Sequence, residues 1–247
     1  MDGVLIRDEA MIEGADRFLA WLDSTDRSYL IITNNSMFTP RELSDRLRGL
    51  GLDVPAHRLW TSAMATAQFV ATQRPAGTAF VIGEASLHEA LAEVGYTERA
   101  DRPDYVVLGE CPTLSFDEVT TAVRLIEKGS RFVATNPEPT GPSADGAVPA
   151  VGAMAAMIER ATGVAPYFVG KPNPMMIREA LHRLDAHSSN TVLVGDRMET
   201  DILAGIEAGL TTVLVLSGVT SPADVDRYPY GPSRVVRSLA ELVDAAL

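Results

Sequence analysis

The chain has 247 residues, enough for one large α/β domain or a core carrying an inserted domain, and its 46% hydrophobic and 22% charged content is ordinary for a globular protein. A formal net charge of −12 argues against non-specific binding to nucleic acid or to an anionic membrane. The single cysteine, Cys111, excludes an intrachain disulfide and fits a reducing cytoplasm; no apolar run approaches the ~20 residues of a membrane helix, and MDGVLIRDEA lacks the basic start and apolar run of a signal peptide.

In chain order, Asp2-Gly3 reads as a sharp turn with Val4-Leu5 leading into a loop. Ala15, Phe18, Leu19 and Leu22 recur at helical spacing over 14–24. Residues 29–32 read as a buried strand that ends in Thr33-Asn34-Asn35-Ser36. Hydroxyls and amides at a strand's carboxyl end can hold an oxyanion, and they serve equally as a polar turn before the helix predicted over 40–50. A further helix is expected from Thr61 to about Gln73.

The texture then changes at Arg74-Pro75-Ala76-Gly77. Two similar strand–turn blocks, 79–84 and 105–110, are separated by a helix over 86–94 and followed by another over 116–128. Phe132-Val133-Ala134-Thr135 is a third strand, followed by Asn136-Pro137-Glu138. The stretch 137–149, rich in Gly, Pro and Ser, reads as a long irregular loop. The block 75–166 is thus expected to form a small α/β domain, closed by a helix over 150–162 whose Met154 and Met157 belong to its core.

Tyr167-Phe168-Val169 is a short strand ending in Gly170-Lys171-Pro172, and Pro174 suits the first turn of a helix over 175–184. Lys171 at this strand end can face an anion or simply be a solvated lysine. Val192-Leu193-Val194 reads as a buried parallel strand that exits through Gly195 to Asp196. Asp201 or Thr200 is the expected N-cap of a helix over 202–209. Ligands of parallel α/β sheets lie beyond the carboxyl ends of the strands. Two carboxylates there, Asp196 and Asp201, suit a hard cation such as Mg²⁺, and they suit a capped strand exit as well. A strand over 212–216 runs into Ser217-Gly218-Val219-Thr220, and a helix over 239–246 closes the chain. His57, His88, His182 and His187 show no metal-ligand spacing.

Four strand ends therefore carry distinct chemistry: Asp2, Thr33-Asn34, Lys171, and Asp196 with Asp201. Acid, hydroxyl, cation and metal-binding carboxylates are what phosphoryl transfer requires. Their order and spacing resemble the haloacid dehalogenase superfamily of phosphatases. TSAMATA at 61–67, VIGE at 81–84, ATNPE at 134–138, VGKPNP at 169–174, GDRMETDILAG at 195–205 and LVLSGV at 214–219 resemble its NagD-type members more narrowly.

The resemblance implies an α/β fold: a Rossmann-like three-layer core with a mostly parallel sheet, formed by 1–74 and 167–247, and an inserted smaller α/β cap at 75–166. It implies a Mg²⁺-dependent phosphomonoesterase acting on a small phosphorylated metabolite, with a nucleoside monophosphate the favoured substrate. Asp2 takes the general acid–base place and offers its backbone carbonyl to Mg²⁺. Thr33 and the backbone at Asn34 hold the phosphoryl group. Lys171 neutralises charge, and Asp196 and Asp201 bind the metal. In the cap, Asn136 and Glu138 face the substrate, although relatives usually have Asp where this chain has Glu138. The protein is expected to be cytoplasmic, with no nucleic-acid or membrane partner; homo-oligomerisation is left open.

One departure is large. The family's nucleophilic Asp belongs one residue before Met1, on a strand near the sheet centre. The expectation is that this strand lies upstream and that the chain as written is inactive for lack of it. The rival expectation is a non-catalytic phosphate-binding or regulatory homologue.

Overall fold

The computed structural model describes residues 1–7, 9–143 and 146–244. In chain order the elements begin with β1 (Ile6–Arg7), β2 (Ala10–Met11), α1 (Ala15–Ser24), β3 (Ile31–Thr33), α2 (Pro40–Gly49), β4 (Leu59–Thr61) and α3 (Ser62–Gln73). They continue with β5 (Thr78–Ile82), α4 (Ala85–Glu93), β6 (Thr97–Glu98), β7 (Tyr105–Leu108), α5 (Phe116–Glu127), β8 (Arg131–Ala134), β9 (Thr140–Ser143), β10 (Gly146–Pro149), α6 (Val151–Thr162) and β11 (Tyr167–Phe168). The last are α7 (Pro174–Arg183), β12 (Val192–Gly195), α8 (Leu203–Glu207), β13 (Thr211–Val215), α9 (Pro222–Val225), β14 (Arg234–Val236) and α10 (Leu239–Asp244). The end of the helix expected over 239–246 falls at residues 245–247, outside the described ones. No described helix is long and apolar enough to cross a membrane.

The chain divides into two compact units. Unit 1 comprises Met1–Thr33, Pro40–Trp60 and Lys171–Leu247; unit 2 comprises Asn34–Thr39 and Thr61–Gly170, and so contains the whole block 75–166. Unit 2 is built on a five-stranded sheet in the order β11-β8-β7-β5-β6, parallel throughout. Strand β7 reads YVVL and is buried at every position, as a parallel strand covered on both faces must be. Its core joins Val106 and Leu108 to Val119, Ala122, Leu125 and Ile126 of α5 and to Val151, Ala155 and Ile158 of α6. Helix α5 starts at a capping box, in which Ser115 and Glu118 satisfy each other's backbone N–H groups.

In unit 1 the strands form a parallel sheet β12-β13-β14, a pair β3-β4 and an antiparallel pair β1-β2. Ile177 and Leu181 of α7 pack with Ala204 of α8 and Leu210. Met198, Ile202 and Leu214 form a second cluster.

Four expectations need correction. Strand β12 is less buried than expected: Val192 is 54% exposed and only Gly195 is fully covered, β13 being the strand paired with it among the described residues. The stretch 137–149 is not irregular, since β9 and β10 pair there as an antiparallel hairpin; its composition hides the alternation that marks a strand, and residues 144–145 lie outside the described ones. Asp201 and Thr200 do not cap a helix. Both sit inside a π-helical turn, Met198–Ile202, whose N-cap is Arg197. On α6, Met154 packs against the core but Met157 is 44% exposed.

Close packing between α8 and β13 rests on Gly205. A Cβ there would lie 2.4 Å from Thr212 Cγ2 and 3.0 Å from Leu193 Cδ2. Helix propensity alone favours alanine over glycine by about 1 kcal/mol. Overpacking against the buried Thr212 costs about 1–3 kcal/mol and dominates. Gly205→Ala is therefore expected to lower stability by up to about 2 kcal/mol, read as a lower urea midpoint at unchanged slope. A midpoint at or above that of the natural sequence would contradict this packing.

Candidate active site

The site is assembled where β12 and β13 of unit 1 release the chain at their carboxyl ends. Strand β12 closes on Gly195, and Asp196 follows with 3% exposure. Strand β13 hands over to Leu216 and Ser217-Gly218-Val219. The Val219 N–H donates to Asp196 Oδ2 at 3.0 Å, and the Thr220 N–H donates to the Asp196 carbonyl. Among the described residues no hydrogen bond engages Asp196 Oδ1.

The π-helical turn carries Asp201 back under the strand end. There Asp201 Oδ2 accepts the N–H groups of Asp196 and Arg197, each at 3.2 Å, and Oδ1 accepts Lys171 Nζ at 2.6 Å. Both side chains of that ion pair are about nine-tenths buried. Lys171 is thus a buried, paired group rather than a solvated lysine, held at a chain segment that crosses a cis Lys171–Pro172 bond.

Absence of side chains makes this approach feasible. A Cβ at Gly195 would lie 2.2 Å from Asp201 Cβ, one at Gly3 2.2 Å from Asp196 Oδ2, and one at Gly218 2.0 Å from the same oxygen. At Gly3 the backbone is also left-handed, with φ 73°, which confirms the expected turn. Ser217 Oγ donates to the Gly3 carbonyl at 2.8 Å and ties this turn to the end of β13. Arg7 reaches the carbonyls of Ser217 and Gly218. Pattern alone assigned no role to Ser217, Gly218 or Val219; the signal was there in LVLSGV, a strand followed by a small-residue turn.

The two carboxylates titrate in opposite directions. Burial, then the Asp201 charge, push Asp196 up, against the Val219 N–H and the Lys171 ammonium. Burial alone would raise Asp201 too, but the Lys171 ammonium and its hydrogen bond outweigh it and hold Asp201 below the ordinary aspartate value. The Met1 amino group is lowered by burial and by Lys171, and raised by Asp2, Asp201 and Asp196, so one electrostatic neighbourhood contains them all. The Asp2 side chain itself is exposed. Thr33 ends β3 and is buried at 3% exposure.

The remaining candidates belong to unit 2. The Asn34 carbonyl accepts Ser62 Oγ at 2.6 Å and Asn136 Nδ2 at 3.0 Å. Asn136 is fully buried, and its Oδ1 accepts the Glu138 N–H, so both ends of its amide shape the loop. Glu138 is half-buried.

The donor set suits a hard cation. Asp196 offers a carboxylate oxygen with no hydrogen bond, whereas both Asp201 oxygens are engaged, which suits a ligand acting through water. No cluster of three or more His, Cys, Asp or Glu poised for a metal occurs among the described residues, so backbone oxygen or water would have to complete the shell.

Removing the cation of the buried pair tests its weight. Lys171→Met leaves a buried, unpaired Asp201 and is expected to cost about 3–5 kcal/mol of stability. Adding Asp201→Asn to Lys171→Met removes the buried charge and is expected to recover most of that loss in urea unfolding. No recovery in the double variant would mean that packing, not charge, holds this corner together.

Comparisons with known proteins identify the family. A haloacid dehalogenase-like hydrolase profile matches residues 1–97, and a HAD-hydrolase-like profile matches residues 168–242. Dihydroxyacetone phosphatase of Corynebacterium glutamicum is 52% identical over 99% of this chain and 89% of its own length. The structure of NagD from Escherichia coli superposes with a TM-score of 0.92 at 42% identity, covering 98% of this chain and 95% of that one. A glycerol phosphate phosphatase of Mycobacterium tuberculosis, solved in complex with magnesium, gives 0.93 at 31% identity, covering 98% of this chain and 74% of that one. On these grounds the chain belongs to the haloacid dehalogenase-like hydrolases, in their NagD-like phosphatase branch.

Proposed function

We propose that this chain is a Mg²⁺-dependent phosphomonoesterase of small phosphorylated metabolites, working in the cytoplasm. The observation that carries the reading is the buried Lys171–Asp201 pair beside Asp196, whose Oδ1 has no hydrogen bond among the described residues, at the carboxyl ends of parallel strands. Bound Mg²⁺ would supply charge neutralisation for the phosphoryl oxygens. Asp196 would hold it directly, Asp201 through water, and the Asp2 carbonyl from the Gly3 turn. Lys171 shares its positive charge between Asp201 and the incoming phosphate, and Thr33 orients the phosphoryl group. The exposed Asp2 carboxyl gives its proton to the departing alkoxide and then takes one from the attacking water.

Asp2→Asn is expected to lower the rate of p-nitrophenyl phosphate hydrolysis at least ~10²-fold; an unchanged rate would remove Asp2 from its assigned role. Asp196→Asn or excess EDTA is expected to abolish most of the rate.

In this reading substrate choice lies with residues 75–166, and chemistry with 1–74 and 167–247, because Asp2, Thr33, Lys171, Asp196 and Asp201 all fall in unit 1. A three-carbon ester such as dihydroxyacetone phosphate is favoured by the 52% identity to a protein so named. A nucleoside monophosphate is the second reading, favoured by the 42% identity to a ribonucleotide monophosphatase. The ratio of kcat/KM for the two esters decides between them, and Glu138→Ala is expected to change that ratio rather than lower both rates equally.

A further inference from the structure

We propose that a basic cleft in unit 2, remote in sequence from the residues assigned to catalysis, is a second anion site that takes a small oligophosphate. The cleft encloses about 610 Å³ and is lined by Arg74, Arg102, Asp104, Lys128 and Arg131, with Ser130 at its back. It sits at the amino ends of β5, β7 and β8, where the sequence places Asp104 just before β7 and Arg131 at the first residue of β8.

Two of its cations have internal work. Arg74 Nε pairs with Asp104 at 2.9 Å, and Arg131 donates to the Tyr105 hydroxyl at 3.0 Å. Asp104 also accepts the Thr78 N–H at 2.8 Å and the Thr78 hydroxyl at 3.0 Å. Burial alone would raise Asp104; the Thr78 bonds, Arg74 and Arg131 hold it below the ordinary value, so the carboxylate is charged and fully used. Arg102 and Lys128 are different. Among the described residues, neither forms an ion pair or side-chain hydrogen bond, and both are exposed at the rim.

A plainer account is that these cations merely offset helix carboxyl ends, since α3 ends at Gln73 and α5 at Glu127. Each such end carries about half a negative charge. Yet the Val70 and Arg74 carbonyls at the end of α3 already accept the Tyr96 hydroxyl, each at 2.8 Å. Four cations against one carboxylate and two such ends leave an excess of about two positive charges. A concave surface of one sign concentrates the opposite ion, here on a protein of net charge −12. Guanidinium forks match phosphoryl oxygens in pairs, and the lysine adds a point charge. The remaining donors of Arg74 and Arg131 and the whole of Arg102 and Lys128 thus face a volume suited to a chain of a few phosphoryl groups.

Calorimetric titration with inorganic tripolyphosphate in EDTA, at about physiological ionic strength, tests the site. Three proteins are compared: the natural sequence, Arg102→Glu/Lys128→Glu, and a control of equal charge change, Arg227→Glu/Arg237→Glu. The natural sequence and the control are expected to bind alike, within about twofold, and the cleft variant at least tenfold more weakly. Undetectable binding to the natural sequence, unchanged binding in the cleft variant, or equal weakening in both variants would each overturn the proposal. The last outcome would reveal attraction by overall charge, and the second would place the anion elsewhere.

Discussion

A carboxylate inside a protein must be paired or protonated, and the local architecture of unit 1 follows from how Asp201 is paired. Its partner Lys171 comes from the segment after β11, thirty residues earlier, and meets it at 2.6 Å with both groups about nine-tenths buried. Desolvating two ions is costly unless every lone pair finds a donor. Here the second oxygen takes the N–H groups of Asp196 and Arg197, which are open because the chain enters a π-helical turn at this point. Glycine at 195 is the steric condition, since any Cβ would occupy the space of the Asp201 side chain.

Asp196, five residues away on the same strand exit, inhabits the opposite environment. It is buried, repelled by Asp201, and steadied by one N–H from Val219. Two acids of the same type thus acquire different tasks through their surroundings: one is neutralised by a built-in cation, and the other is left with a charge that an added cation can relieve. Gly3 and Gly218 bring backbone against that second carboxylate from two sides, and Ser217 binds the two approaches together. Such a frame holds the carboxylate in place with little room to reorganise.

Much of this was legible in the residues. An apolar run ending in Gly195-Asp196 marks a parallel strand exit, and Gly170-Lys171-Pro172 pins a lysine at another, so pattern makes Asp196, Asp201 and Lys171 candidates, and the family resemblance selects them over a capped strand exit and a solvated lysine. What sequence could not give was orientation. Asp201 reads as a cap because aspartate is common at helix starts, and nothing local announces a π-helical turn. Asn136 reads as a polar group on a binding loop, and nothing local shows that its amide also donates to the Asn34 carbonyl, 102 residues away in the chain, while accepting the Glu138 N–H. The β9–β10 hairpin was concealed because Gly and Pro replace the β-branched residues that usually betray a strand.

The Lys171–Asp201 pair also sets how this corner of the molecule meets acid. Asp201 is held below the ordinary aspartate value, so its charge contributes stability that is present above that value and is lost as the pH falls through the folded one. Asp196 is pushed the other way and takes up its proton first. Acid therefore relieves the repulsion between the two carboxylates before it reaches the buried pair.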